Sequence, residues 1–305
     1  MIVRFATPEV EAAGTDESPI MIHPKSLRWI ILSFSLVCCL GATPESPGRW
    51  EPDRYVLRVP RLKTPPTIDG DLSDWKSVAF TDGLWDIARL RQAPWYDPEI
   101  NRLTNQEGEE SAEEDLQARY YIAWDDAYLY LGAEVHDNIN DFKDPQHAPD
   151  RWYFKDTISF FIEAPADQLA EKFGAGDNAF CFVIDPSMPS HGAWWRHGSP
   201  QKRFIEEPLP EGAVTYTIRM DPWKLGRGDF ILEARVAMAP TLGRSDPNWH
   251  APRPGDNYRL QIVHTDPDGG DYGGHILLYG KGDDDSTWAR MTLTEPIKPI
   301  DRKLE

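Results

Sequence analysis

Cysteine is nearly missing from this chain, with three among 305 residues. Cys38 and Cys39 lie in an apolar amino-terminal stretch, leaving Cys181 alone in the remainder. A single cysteine closes no internal disulfide, so the fold must rest on a hydrophobic core. No CxxC occurs, and the eight histidines lack tight ligand spacing, which argues against zinc. Positive charge is scarce too: 32 Lys and Arg face 50 Asp and Glu, a net charge of −18. Such a field repels phosphate backbones and anionic lipid surfaces, which argues against nucleic acid as a partner. Sustained helical periodicity is confined to a turn or two at Ala166–Phe173. No serine elbow, phosphate loop or dinucleotide turn appears, and Gly269–Gly270 and Gly273–Gly274 read as a loop. Paired carboxylates for glycosidic chemistry are cheap in so acidic a chain and carry little information. The reading is therefore non-enzymatic.

The amino terminus reads as an address. Lys25 and Arg28 precede the apolar run Trp29–Leu40, with small residues Gly41 and Ala42 after it. That is the pattern of a secretory signal, and the run is too short for a comfortable span of ~20 residues. Residues 1–20 are acidic and polar, wrong for export, and read as a mis-called extension ahead of Met21. The expected organisation is a signal peptide at 21–42, a linker at 43–54, one domain at 55–295 and a tail at 296–305. Export to the periplasm or exterior follows, with no membrane span in the mature form. An uncleaved anchor and a lipoprotein are the rivals.

What is abundant is strand signal. Runs at Tyr55–Val59, Leu116–Trp124, Tyr128–His136, Thr157–Glu163, Ala179–Ile184, Val214–Arg219, Phe230–Met238, Tyr258–His264, His275–Tyr279 and Trp288–Leu293 are separated by Pro, Gly, Asp and Asn. Several alternate apolar and polar residues with period two, as half-buried strands do. No βαβ alternation, internal repeat or second composition block appears. The pattern predicts an all-β fold, an antiparallel two-sheet β-sandwich of jelly-roll or immunoglobulin-like type with long loops at Asp82–Ser111 and Ser187–Pro210. Glu107–Asp115 reads as an exposed acidic loop. Trp is also abundant, at 12 residues. Most should pack the core, Trp75 and Trp124 among them, but flat indole faces also suit stacking.

Five segments, in order, resemble the family 9 carbohydrate-binding modules. They are Ile68–Trp75 (IDGDLSDW), Ala123–Leu131 running on to Val135-His136-Asp137, Trp152 with Asp156–Ile162, Ile231–Val236, and Gly280–Leu293. The likeness spans about Tyr55 to Leu293. It implies a β-sandwich that binds an oligo- or polysaccharide of xylan or cellulose type without catalysis. It also implies association with glycoside hydrolases.

In that family two tryptophans sandwich a terminal sugar, and the matching positions are Trp152 and Trp288, both in polar surroundings. The resemblance makes Asp177, Asn178 and Asp285 candidate polar contacts. Where the family has a carboxylate and an arginine, this chain has Ser159 and Cys181, and one extra residue separates Trp152 from Asp156. Trp194–Trp195, with His191 and His197, reads as a second aromatic loop. The resemblance further implies a structural calcium, with Asp125, Asp137 and Asp156 at the acidic loop positions. Such an ion takes six to eight oxygens, so sequence alone proves no site. Two alternatives stay open: a haem-binding sandwich of the DOMON type using Met238, Met220 or His264, and a surface protein that binds no glycan.

Overall fold

The computed structural model describes residues 55–83, 96–97, 102–103, 116–138, 155–167, 173–185, 192–199, 201, 203–267, 275–280 and 284–297. The proposed extension, signal peptide and linker lie outside them, as do Trp152, His191, the acidic run at 107–115 and most of Ala166–Phe173. The strands are β1 (Val56–Pro60), β2 (Phe80–Gly83), β3 (Tyr96–Asp97), β4 (Arg102–Leu103), β5 (Leu116–Trp124), β6 (Tyr128–Asp137), β7 (Thr157–Glu163) and β8 (Asp177–Val183). They continue as β9 (Gly192–His197), β10 (Ile205–Glu207), β11 (Val214–Met220), β12 (Phe230–Ala237), β13 (Asn257–Thr265), β14 (His275–Leu277) and β15 (Ala289–Thr294). Among the described residues the one α-helix is α1 (Leu242–Ser245).

The strands build two main sheets and a separate two-stranded ribbon, β3 with β4. The larger runs β1-β15-β13-β7-β8-β9-β10, with β14 added beside β13, and the smaller runs β11-β12-β6-β5-β2. Neighbours pair antiparallel, apart from β1 and β15, which are parallel. Period-two alternation sends one set of side chains from each sheet inward. Ile158, Phe160, Ile162, Phe180, Phe182, Leu260 and Ile262 from the larger sheet join Tyr120, Ile122, Leu131, Ala133, Leu232 and Ala234 from the smaller in one core. This is a β-sandwich. Trp124 is fully buried in that core, and its Nε1 donates to the Val59 carbonyl at 3.0 Å. His264 is buried too, its Nδ1 2.6 Å from the Tyr120 hydroxyl, and burial lowers its pKa to about 3.

The IDGDLSDW segment covers the outer face of the smaller sheet. Leu72 and Trp75 pack there on Tyr121, Ala123, Tyr130 and Ile231. The carboxylate of Glu233 on β12 fastens the segment, accepting from Asp69 N at 2.9 Å, Gly70 N at 2.8 Å and Trp75 Nε1 at 2.8 Å. Gly70 takes φ +83°, open to glycine at little cost. A Cβ on Gly132 of β6 would stand 3.1 Å from the Trp75 ring, so bare backbone is what seats the indole.

Candidate functional site on the outer face of the larger sheet

Strands β7 and β8 are buried along their whole length, so their outer face is covered as well as their inner one. That outer face carries Phe161, Ala179, Cys181, Val183, Val263 and Trp288, with Trp194, Phe204 and Leu277 partly exposed around them. Phe161 and Trp288 meet edge-on with centroids 5.7 Å apart. Trp288 follows a 3-10 turn, Asp285–Thr287, and its N–H donates to the Asp285 carbonyl at 3.0 Å. Only 3 % of its surface is exposed, which corrects the expectation of an indole in polar surroundings: its ring packs into this apolar cluster and sits low on the face. Burial among these side chains pushes the Cys181 thiol up to about 11, which keeps it an unreactive neutral group.

Polar groups are interleaved with the rings. Ser159 pairs with Cys181 across β7 and β8, and Glu163 pairs with Asp177. The buried atoms Ser159 Oγ, Glu163 Oε2, Asp285 Oδ1 and Arg196 Nε have no hydrogen-bond partner among the described residues. Such atoms cost on the order of 1–3 kcal/mol each when left dry, so they mark places suited to a ligand. The Arg196 guanidinium lies over the Phe204 ring, 5.1 Å from its centroid. Burial, with Asp285, Asp167 and Asp177 nearby, pushes the Glu163 carboxyl up to about 9. Burial likewise raises Asp285 to about 7.

Strand alternation divides the expected polar contacts. Asp177 shares a strand face with Ala179 and Cys181, and its Oδ2 accepts from Gly174 N at 2.9 Å. Asn178, one residue on, must point the other way. Its amide donates to the Gly176 carbonyl at 2.7 Å and to Ser245 Oγ at 2.9 Å, and its Oδ1 accepts from Trp195 Nε1 at 3.1 Å. The expectation of a ligand contact at Asn178 is corrected: it braces β8, β9 and α1 from within. The same alternation corrects the aromatic loop. Trp194 and Trp195 belong to β9, and Trp195 is fully buried in the core while Trp194 lies on the outer face.

The acidic positions divide as well. Asp125 sits at the tip of the β5–β6 hairpin, where Oδ1 accepts from Ala127 N at 2.8 Å and Tyr128 N at 2.7 Å, and Oδ2 from the Tyr130 hydroxyl at 2.6 Å. Asp137 ends β6, ten residues long, and at ~3.3 Å per residue the two lie roughly 30 Å apart. One ion cannot serve both, which corrects the grouping of Asp125 with Asp137 and Asp156. Asp137 and Asp156 do come together, with Asp266 as the third buried carboxylate, ligand atoms within 4.8 Å of one another. Lys155, next along the chain, donates to Asp185 at 3.2 Å.

A second group of the same kind joins Glu163, Asp167 and Asp285. Sequence reasoning missed Glu163, Asp266, Arg196 and Arg259. The available signal was an acidic residue closing an otherwise apolar strand, as Glu163 closes β7. Of the haem alternative's residues, Met238 and His264 are buried and Met220 is half-buried on β11.

The profile of the family described as "Carbohydrate family 9 binding domain-like" matches residues 89–251, just over half of the chain. The chain belongs to that family. Two solved structures of a family 9 carbohydrate-binding module from Caldicellulosiruptor kristjanssonii, one in complex with cellotriose and one with glucose, are similar to it. Each has a TM-score of 0.47 and 16 % identity, covering 80 % of this chain and 99 % of the other. A protein of Bacteroides uniformis ATCC 8492 has a TM-score of 0.48 and 10 % identity, covering 78 % and 97 %. No curated protein matches.

Proposed function

We propose that this module binds a neutral saccharide on the outer face of its larger sheet. The observation that carries the reading is the mixture found there. Aromatic rings adjoin buried polar atoms, Ser159 Oγ and Arg196 Nε, that lack partners among the described residues. Sugars present flat C–H patches and rings of hydroxyls, which stack on aromatic faces and bond to polar groups. Trp288 supplies the floor and Trp194 an accessible rim. Trp152, outside the described residues, is the second indole of the proposed sandwich. Asp177 and Asp285 border the rings as acidic contacts. A chain that holds sugar without transforming it suits export and service beside glycoside hydrolases acting on xylan- or cellulose-like material.

A structural calcium belongs to the same proposal. Asp137, Asp156 and Asp266 are each at most 2 % exposed, and three such carboxylates so close repel one another in a low-dielectric site. A hard, oxygen-seeking cation would neutralise them.

Substitution tests the sugar reading. Trp288→Ala would empty a buried site, at a cost of about 3–5 kcal/mol in stability, and so reads folding as well as binding. Trp194→Ala, on a partly exposed ring, should reduce retention on insoluble xylan or cellulose while leaving the melting temperature nearly unchanged. Trp152→Ala should do the same. Full retention by both variants would remove the proposed face. A Soret band in the purified protein would favour the haem alternative instead.

A further inference from the structure

The smaller sheet ends on β11, whose far side meets no other strand among the described residues. The Ala237 N–H donates to the Ala213 carbonyl and the Asp221 N–H to the Asp229 carbonyl, each at 2.7 Å, one bond at either end of the β11–β12 pairing. Backbone groups of an antiparallel strand alternate in direction, so Thr215, Thr217 and Arg219 turn theirs towards β12. Val214, Tyr216, Ile218 and Met220 turn theirs outward, where no backbone hydrogen bond meets them among the described residues. Such an edge accepts a further strand unless charge, proline or a bulge blunts it. β11 is seven residues long, has no proline or lysine, pairs with β12 without a break in register and carries one charge, Arg219. At other sheet ends β2 and β10 are only four and three residues long.

The ends of β11 fix how a partner can lie. Gly212 at φ +72° and Asp221 at φ +46° bend the chain away on either side, leaving Val214–Met220 as the straight stretch. Two copies related by a dyad at Thr217 overlap along all of it. Tyr216 then exchanges both backbone bonds with Ile218 of the second copy, and Val214 does so with Met220. The side chains agree with this register. Val214, Tyr216, Ile218 and Met220, packed on the core yet partly exposed, meet one another. On the other side Thr217 meets itself and Arg219 falls opposite Thr215. Sliding the strands until Arg219 met its own copy would shorten the overlap and oppose like charges.

We propose that β11 pairs antiparallel with β11 of a second copy of this chain, joining two smaller sheets into one. A dyad normal to the sheet keeps both larger sheets on one side, so their aromatic faces point the same way. The pairing does not depend on what those faces bind.

Sedimentation of the full chain over a concentration series tests it, in ~0.15 M salt, which screens charges beyond ~8 Å. A monomer–dimer equilibrium is expected. Ile218→Pro removes an outward donor and no bond to β12, a place where an edge strand tolerates proline, and should leave monomer. Thr215→Glu, set against Arg219 of the second copy, should tighten the dimer about three- to tenfold, and Thr215→Lys should loosen it by a similar factor. Thr215 also neighbours Arg235 on β12, an effect on the monomer that cancels from the dimerisation constant. A monomer throughout, or a dimer whose constant ignores all three variants, would overturn the proposal. So would a monomer whose Tyr216 and Ile218 amides resist hydrogen exchange, because another segment would then occupy the edge. Should Ile218→Pro fail to fold, the opposed Thr215 variants decide.

Discussion

Glu233 and Glu163 are the same side chain, buried on the outer faces of the two sheets, and they are treated in opposite ways. Glu233 accepts three hydrogen bonds from the segment that covers the smaller sheet. Glu163 accepts one, and its second oxygen has no partner among the described residues. Burial raises both carboxyls. At Glu233 the donors oppose that rise, whereas at Glu163 three neighbouring carboxylates reinforce it. A buried acid surrounded by donors is a fastening for the fold. One left half-satisfied among other acids is a place prepared for something else. Among the described residues, the acid on the smaller sheet's outer face is thus fully fastened by the chain's own donors, and the one at the end of β7 is not.

The largest effect is expected where the face is finished. Glu233→Ala strands two backbone N–H groups and the Trp75 indole N–H, and should cost about 3–5 kcal/mol by urea denaturation. A loss under about 1 kcal/mol would break the contrast, because Glu233 would then not be the fastening. The next effect belongs to Glu163. Its carboxyl is raised to about 9 in the folded state. Its stabilising share is therefore complete below the ordinary ~4.3 and is lost as pH rises towards the folded value. In chelator the protein should weaken by on the order of 3 kcal/mol between pH 5 and 8, and Glu163→Gln should flatten that slope. A slope that survives the substitution would assign it to other groups. The smallest effect is at Ser159. Removing a buried hydroxyl that has no partner among the described residues should be neutral or stabilising by less than about 1 kcal/mol, so Ser159→Ala should melt at or slightly above the parent. A clear loss would mean that the hydroxyl is bonded and the larger face more complete than its atoms indicate.

Much of this architecture is legible before folding. The long strands declare themselves because alternation and turn residues are local properties, and FILEARVA in β12 does so plainly. The IDGDLSDW segment is recognisable as a unit, yet its purpose depends on Glu233, more than 150 residues away. No local pattern carries that link. Asp177 and Asn178 look alike in sequence as a polar pair, and only the register of β8 sends one to each face. Trp194–Trp195 misleads for the same reason: two adjacent large rings conceal a period of two. Asp125 and Asp137 share the chemistry of acidic turn residues and are parted by a strand's length. Short β2 and β10, four and three residues long, offer too few positions for any period to register.

The parallel ribbon of β1 with β15 has a consequence for how the molecule is made. Val56 lies beside Arg290 and Pro60 beside Thr294, so the first of the described strands to leave the ribosome finds its partner only after the last of them has emerged. Until then one edge of the larger sheet cannot close, and nearly the whole polypeptide must be looped out before it does. Closure of that edge therefore comes late, while consecutive hairpins such as β5–β6, β7–β8 and β11–β12 have their partners close by in the chain.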